Sequence, residues 1–171
     1  LCSAGATYRM RWFRRKIKVG AAPFIAGRVE KVFGEDAENI RRALRSANVK
    51  ASEEELLAYS AFNQLSAMTL AGLSQAVRYR FVEEVVYAFD ELFPGRGERL
   101  QQRLAQYSEA FAQDAAIGKE ALAPNLLGRA LDAMLGASGE SVVAARMALV
   151  IVQRACLEAK VPFYKDLKVI E

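Results

Sequence analysis

Histidine is absent from this 171-residue chain. That absence removes the commonest metal ligand, the commonest general base and the usual physiological pH switch together. It also excludes Ser–His and Cys–His nucleophile pairs. Cysteine is scarce: Cys2 lies near one terminus and Cys156 inside an apolar run. Two such thiols do not make a disulfide framework, so the expectation is a reducing compartment, with the Cys156 thiol buried and inert. No GxxxxGK[ST] loop occurs, and Gly95-Arg96-Gly97 lacks a third glycine and follows a helical pattern rather than a strand. No apolar h-region follows the basic cluster near the start, so no secretory signal is expected.

What the chain has is helical periodicity. Residues 141–161, SVVAARMALVIVQRACLEAKV, are apolar almost all the way round, interrupted on one line by Arg146, Gln153 and Lys160, seven apart. So narrow a polar stripe predicts an enclosed helix, and Arg146 and Arg154 break the run before the roughly 20 apolar residues that a membrane span needs. The expected fold class is all-α: a compact bundle of six to eight helices around this central C-terminal helix, with no sheet. The polar line reads as the one stripe of that helix facing solvent. A buried ion pair or an anion site at Arg146, helped by Arg154, is the alternative.

The other helices follow from caps and breakers. Pro23 suits a first turn, and Gly34 is expected to stop that helix. Asp36 is expected to cap the next. Ser52 and Glu55 carry the sequence of a capping box. Gly72 marks a break, Ser74 caps a helix with Val77, Phe81, Val85, Phe89 and Phe93 on one seam, and Pro94-Gly95-Arg96-Gly97 is a turn. Leu100, Leu104, Tyr107 and Phe111 face inward on the next helix, a short helix spans 126–135, and Pro162 falls just past the end of the last. Residues 8–19 read equally well as a short helix or an extended strand.

Charge is segregated. Residues 1–20 hold Arg9, Arg11, Arg14, Arg15, Lys16 and Lys18 and no acid, while the remaining 151 residues hold 18 bases against 20 acids. The expected organisation is therefore a basic N-terminal arm, 1–20, on a single helical domain, 21–171. Six cations interleaved with Trp12 and Phe13 suit an anionic surface. An anionic membrane is preferred over nucleic acid, because Met10, Phe13 and Ile17 make an apolar edge that a phosphate backbone would not use.

Acid clusters do not add chemistry to this. Glu83, Glu84, Asp90 and Glu91 cluster on one helix, but Glu83, Tyr87 and Asp90 line the face opposite the phenylalanine seam, as a solvated face should, so no metal site and no cofactor are expected. Phe62, Met68, Phe81, Phe89, Phe111 and Met134 are expected to be plain core rather than the lining of an apolar pocket. With no catalytic constellation, an enzyme ranks below a binding protein. The function expected is a non-enzymatic helical interaction or assembly module. Its partner would be another protein or a second copy, and its basic arm would contact an anionic surface, peripheral to a membrane. A carrier or sensor of a small apolar or anionic ligand held between helices is the alternative.

Overall fold

The computed structural model describes residues 16–116 and 140–170, and these are mostly helical. Strand β1 (Ile17–Gly20) leads into α1 (Ala21–Lys31), a π-helical turn (Val32–Asp36) and α2 (Ala37–Ser46). These are followed by α3 (Glu53–Leu70), α4 (Gln75–Leu92), α5 (Gly97–Ala116), α6 (Glu140–Lys165) and β2 (Leu167–Ile170). The helix expected at 126–135 lies outside the described residues, as does Met134.

The helix ends follow local chemistry. Ser52 Oγ accepts from the Glu55 amide at 3.2 Å and Ser74 Oγ from the Val77 amide at 3.3 Å, so both serines cap as expected. Only half of the capping box forms, because the Glu55 carboxylate turns away to Arg103. Gly72, with φ of 74°, closes α3 in a Schellman motif: Leu73 N–H donates to Met68 C=O and Gly72 N–H to Thr69 C=O. Asn48 (φ 54°) does the same for α2. Asp90, expected on the solvated acid face, accepts from the Gly97 amide at 2.8 Å and caps α5 across the turn.

Three expectations are corrected at breakers and caps. Gly34 does not stop a helix; the chain passes through it in the π turn, so α1 and α2 are one continuous rod. A π turn interrupts the α-helical ladder, and Ser60 Oγ on α3 donates to the Val32 carbonyl there at 2.8 Å. Asp36 has helical backbone angles and caps nothing; its carboxylate points into the protein. Pro162 lies inside α6, which continues to Lys165.

The centre of the bundle is α3, not residues 141–161. Thirteen of its eighteen residues are buried, against Val142, Ala145, Leu149 and Gln153 within 141–161. The reason is its small side chains: Ala58, Ser60, Ala61, Ser66 and Ala67 let neighbours approach from every side. Tyr59 and Phe62 join Tyr107 and Phe111 of α5 in an aromatic cluster with centroids 5.4 to 6.0 Å apart. Tyr59 also donates to the Leu149 carbonyl of α6 at 3.3 Å. Phe62, Met68, Phe81 and Phe89 are core, as expected, and Phe111 is half-buried.

A small sheet is present where none was expected. β1 and β2 pair in parallel, Ile17 with Leu167 through Gly20 with Ile170, joining the two ends of the described chain. Leu167 is buried and Val19 and Val169 pack on the core, so the end of the basic segment is held on the domain.

Replacing Phe62 with Ala should destabilise the domain by about 3–5 kcal/mol, since the cluster cannot collapse into the space left. Urea unfolding checks this, and a loss under about 1 kcal/mol would mean that α3 is not the centre of the core.

Candidate functional site

The polar line of α6 faces inward. Gln153 is buried, Arg146 is half-buried, and the Lys160 side chain is only 14% exposed. This corrects the solvent-stripe expectation. The outer face of the helix carries Val143, Met147 and Ile151 instead, 58, 50 and 63% exposed.

What draws Lys160 inward is Asp36. The ammonium donates to both carboxylate oxygens, at 2.7 and 2.6 Å, and the Asp36 side chain is 11% exposed. Gln64 Nε2 on α3 donates to the same carboxylate at 2.6 Å, and Tyr164 O–H on α6 donates to Gln64 Oε1 at 2.5 Å. The π turn, α3 and α6 are thus tied by one chain of charge-assisted hydrogen bonds. Burial pushes the Tyr164 phenol up to about 12, although Arg28 opposes the shift, so the phenol stays protonated and donates. Arg28 itself lies within 6 Å of the Phe24, Phe163 and Tyr164 rings.

Beside this network lies a cleft of about 440 Å³ between the π turn, α2, α3 and α6. Glu35, Asp36, Asn39, Arg42, Asn63 and Lys160 supply its polar lining, and Val152, Ala155, Cys156 and Ala159 the rest. Cys156 Sγ lies 4.0 Å from the Asn63 backbone carbonyl, and burial raises its thiol pKa. The thiol is held neutral, and a neutral thiol is a poor nucleophile.

A second polar junction ties α3 to α5. Arg103 donates to Glu55 at 2.5 Å and lies 6.0 Å from the Tyr107 ring, while Arg99 is 3.7 Å from Glu55. Arg41 makes partly exposed pairs, with Glu38 within α2 and with Glu53 at the start of α3. Such exposed pairs contribute little.

Of the residues singled out from sequence, Arg9, Arg11, Trp12, Phe13, Arg14 and Arg15 lie outside the described residues. Lys16 and Lys18 are exposed beside and on β1, and Lys18 is the register partner of Lys168. Arg154 points outward and donates to Glu158 at 2.8 Å, so it is not brought together with Arg146. Among the described residues no helix is long and apolar enough to cross a membrane. Sequence reasoning missed Asp36, Asn63, Gln64 and Tyr164. The Asn63-Gln64 pair, set among small and apolar residues, was the available signal, because a buried polar residue is the informative kind.

Replacing Lys160 with Met should cost about 3 kcal/mol, since it leaves the enclosed Asp36 carboxylate without its cation. Combining it with Asp36→Leu should recover part of that loss; denaturant midpoints of the two variants test the order. In iodoacetamide labelling near neutral pH, the Cys156 peptide should label much more slowly in folded protein than in urea, and equal rates would show a free thiolate. No protein-family model, no curated protein and no solved structure matches this chain.

Proposed function

We propose that this chain is a non-enzymatic helical assembly module that pairs with a second copy of itself along the outer face of α6. The observation that carries the reading is the exposed apolar line Val143, Met147 and Ile151, spaced four apart over more than two turns. Exposed Ala144 and Ala155 flank it and allow a second helix to approach closely.

The occupant follows from the even spacing of this apolar line. An antiparallel two-fold centred on Met147 sets Val143 opposite Ile151 of the second copy. Apolar residues then meet apolar ones, as an isologous interface requires. A parallel pairing would set each charge against its own kind. Three apolar side chains supply only part of the 1,200 Å² or so that a stable interface buries, so the expected dimer is concentration-dependent.

The basic segment gives the module its address. Lys18 and Lys168 lie side by side on the β1–β2 ribbon, both exposed, and Lys16 precedes them. Adjacent like charges are relieved by an anionic partner. With Arg9, Arg11, Arg14 and Arg15 upstream they make a surface for an anionic membrane, with Trp12 and Phe13 inserting at the interface. On this reading the module works in a reducing compartment, peripheral to a membrane, as a bundle of six to eight helices in all.

Sedimentation of the full chain across micromolar concentrations should give a monomer–dimer equilibrium. Met147→Lys should abolish the dimer without lowering the melting temperature, because the side chain is outside the core; a strictly monomeric parent would overturn the reading. For the arm, replacing Arg14, Arg15 and Lys16 with Gln should weaken binding to vesicles containing phosphatidylserine, most at low salt. Preserved vesicle binding with a lowered melting temperature would make the segment structural.

A further inference from the structure

The β1–β2 ribbon has one face that turns away from the core. Side chains alternate along a strand, and Val19, Leu167 and Val169 pack on the core side. Lys18, Gly20, Lys168 and Ile170 therefore share the outer face, and all four are exposed. The register sets Lys18 beside Lys168 and Gly20 beside Ile170. Having no side chain, Gly20 leaves its neighbour uncovered, and Ile170 is 43% exposed. Ile17 stands at the rim of the ribbon and is 61% exposed, although its register partner Leu167 is buried.

On and just before the two strands, Lys16, Lys18 and Lys168 stand against one acid, Asp166. The surface thus mixes exposed cations with exposed large apolar side chains, and partners differ in how well they meet both. A nucleic-acid backbone would neutralise the lysines and give Ile17 and Ile170 nothing to pack on. A second copy of the ribbon would set lysine against lysine. An anionic bilayer meets both kinds: ammonium groups reach the headgroups on flexible stems while the isoleucines enter the acyl boundary.

We infer that the folded ribbon is itself a membrane-docking face, lying on an anionic bilayer with Lys18 and Lys168 at the phosphates and Ile17 and Ile170 inserted. The inference rests on the membrane reading of the basic segment and adds which face of the folded domain meets the lipid. An arm alone would tether the domain in any orientation. The ribbon holds one end of it down, because β2 follows α6 after Asp166 alone. The C-terminal end of α6, where Phe163 is also exposed, then lies at the bilayer.

The probes are vesicles of phosphatidylcholine alone and of phosphatidylcholine mixed with phosphatidylserine, with the full chain throughout. Each lysine near anionic lipid is worth about fivefold in affinity, so Lys18→Ser with Lys168→Ser should weaken binding to the mixed vesicles about 25-fold at low salt. Ile17→Ser with Ile170→Ser should weaken it about tenfold, and this loss should persist in high salt, because apolar insertion is not screened. Both pairs should melt near the parent. Trp12 is the chain's one tryptophan. In a Trp12→Phe chain, the indole introduced by Ile170→Trp should therefore report alone: its emission should shift to shorter wavelength on mixed vesicles and be quenched by brominated lipid. Parent-like binding of the isoleucine pair, or an unquenched indole on vesicles that the chain binds, overturns the inference and leaves the arm reading standing. A parent chain that binds neither vesicle overturns both. A lysine pair that aggregates but binds vesicles as before makes Lys18 and Lys168 guards of an open strand edge, and also overturns the inference. So does tighter binding to a single-stranded oligonucleotide that the isoleucine pair leaves unchanged. Should either pair melt well below the parent, quenching of the introduced indole still decides.

Discussion

A helix enclosed by its neighbours cannot turn its polar groups to water, and most of α3 is so enclosed. Tyr59, Ser60 and Gln64 each reach a different neighbour: the Leu149 carbonyl on α6, the Val32 carbonyl in the π turn, and Asp36. An unmet hydrogen-bonding group in that position costs about 1–3 kcal/mol, so each of these bonds constrains where its partner can lie. The π turn illustrates this. Its interrupted backbone ladder would be unfavourable on its own, and Ser60 is placed to satisfy the carbonyl. The continuous α1–α2 rod therefore depends on α3 as much as on its own sequence.

The Asp36–Lys160 pair extends the constraint to α6. A pair held at this depth gives little net stability over an apolar substitute, because both charges have been taken from water. Its effect is on arrangement. Lys160 can be satisfied only where Asp36 is, and Asp36 is also held by Gln64, which receives the Tyr164 hydroxyl. Rotating α6 about its axis would separate the pair. The polar line that holds α6 inward also leaves its apolar line outward, so the site and the surface are two sides of one orientation.

The same orientation determines what function can be read. Had the polar line faced solvent, α6 would have been core on its remaining sides and neither the cleft nor the outer apolar face would exist. The ribbon of β1 and β2 adds the third element, because it fastens the end of the basic segment to the end of the chain and brings Lys18 beside Lys168. Among the described residues these elements set out a polar cleft, an apolar line on the outside of α6 and an adjacent pair of lysines.

Helical character, the capping serines, Gly72 as a stop and the phenylalanine seam of α4 were legible in the sequence, because each rests on interactions within a few residues. The missing histidine and the segregated charge were equally legible, since they need no geometry. Which helix is central was not. Residues 141–161 outrank α3 in apolarity, but burial follows how closely neighbours can approach, and the small residues of α3 permit approach on all sides. Gly34 and Asp36 misled for a related reason: a helix end signalled locally was overridden by Ser60 and Lys160, 26 and 124 residues away in the chain. The β1–β2 pairing spans almost the whole chain, and four-residue strands carry too little pattern to declare it. The orientation of α6 was decided only by tertiary structure, since an i, i+7 polar line reads identically whether it faces water or Asp36.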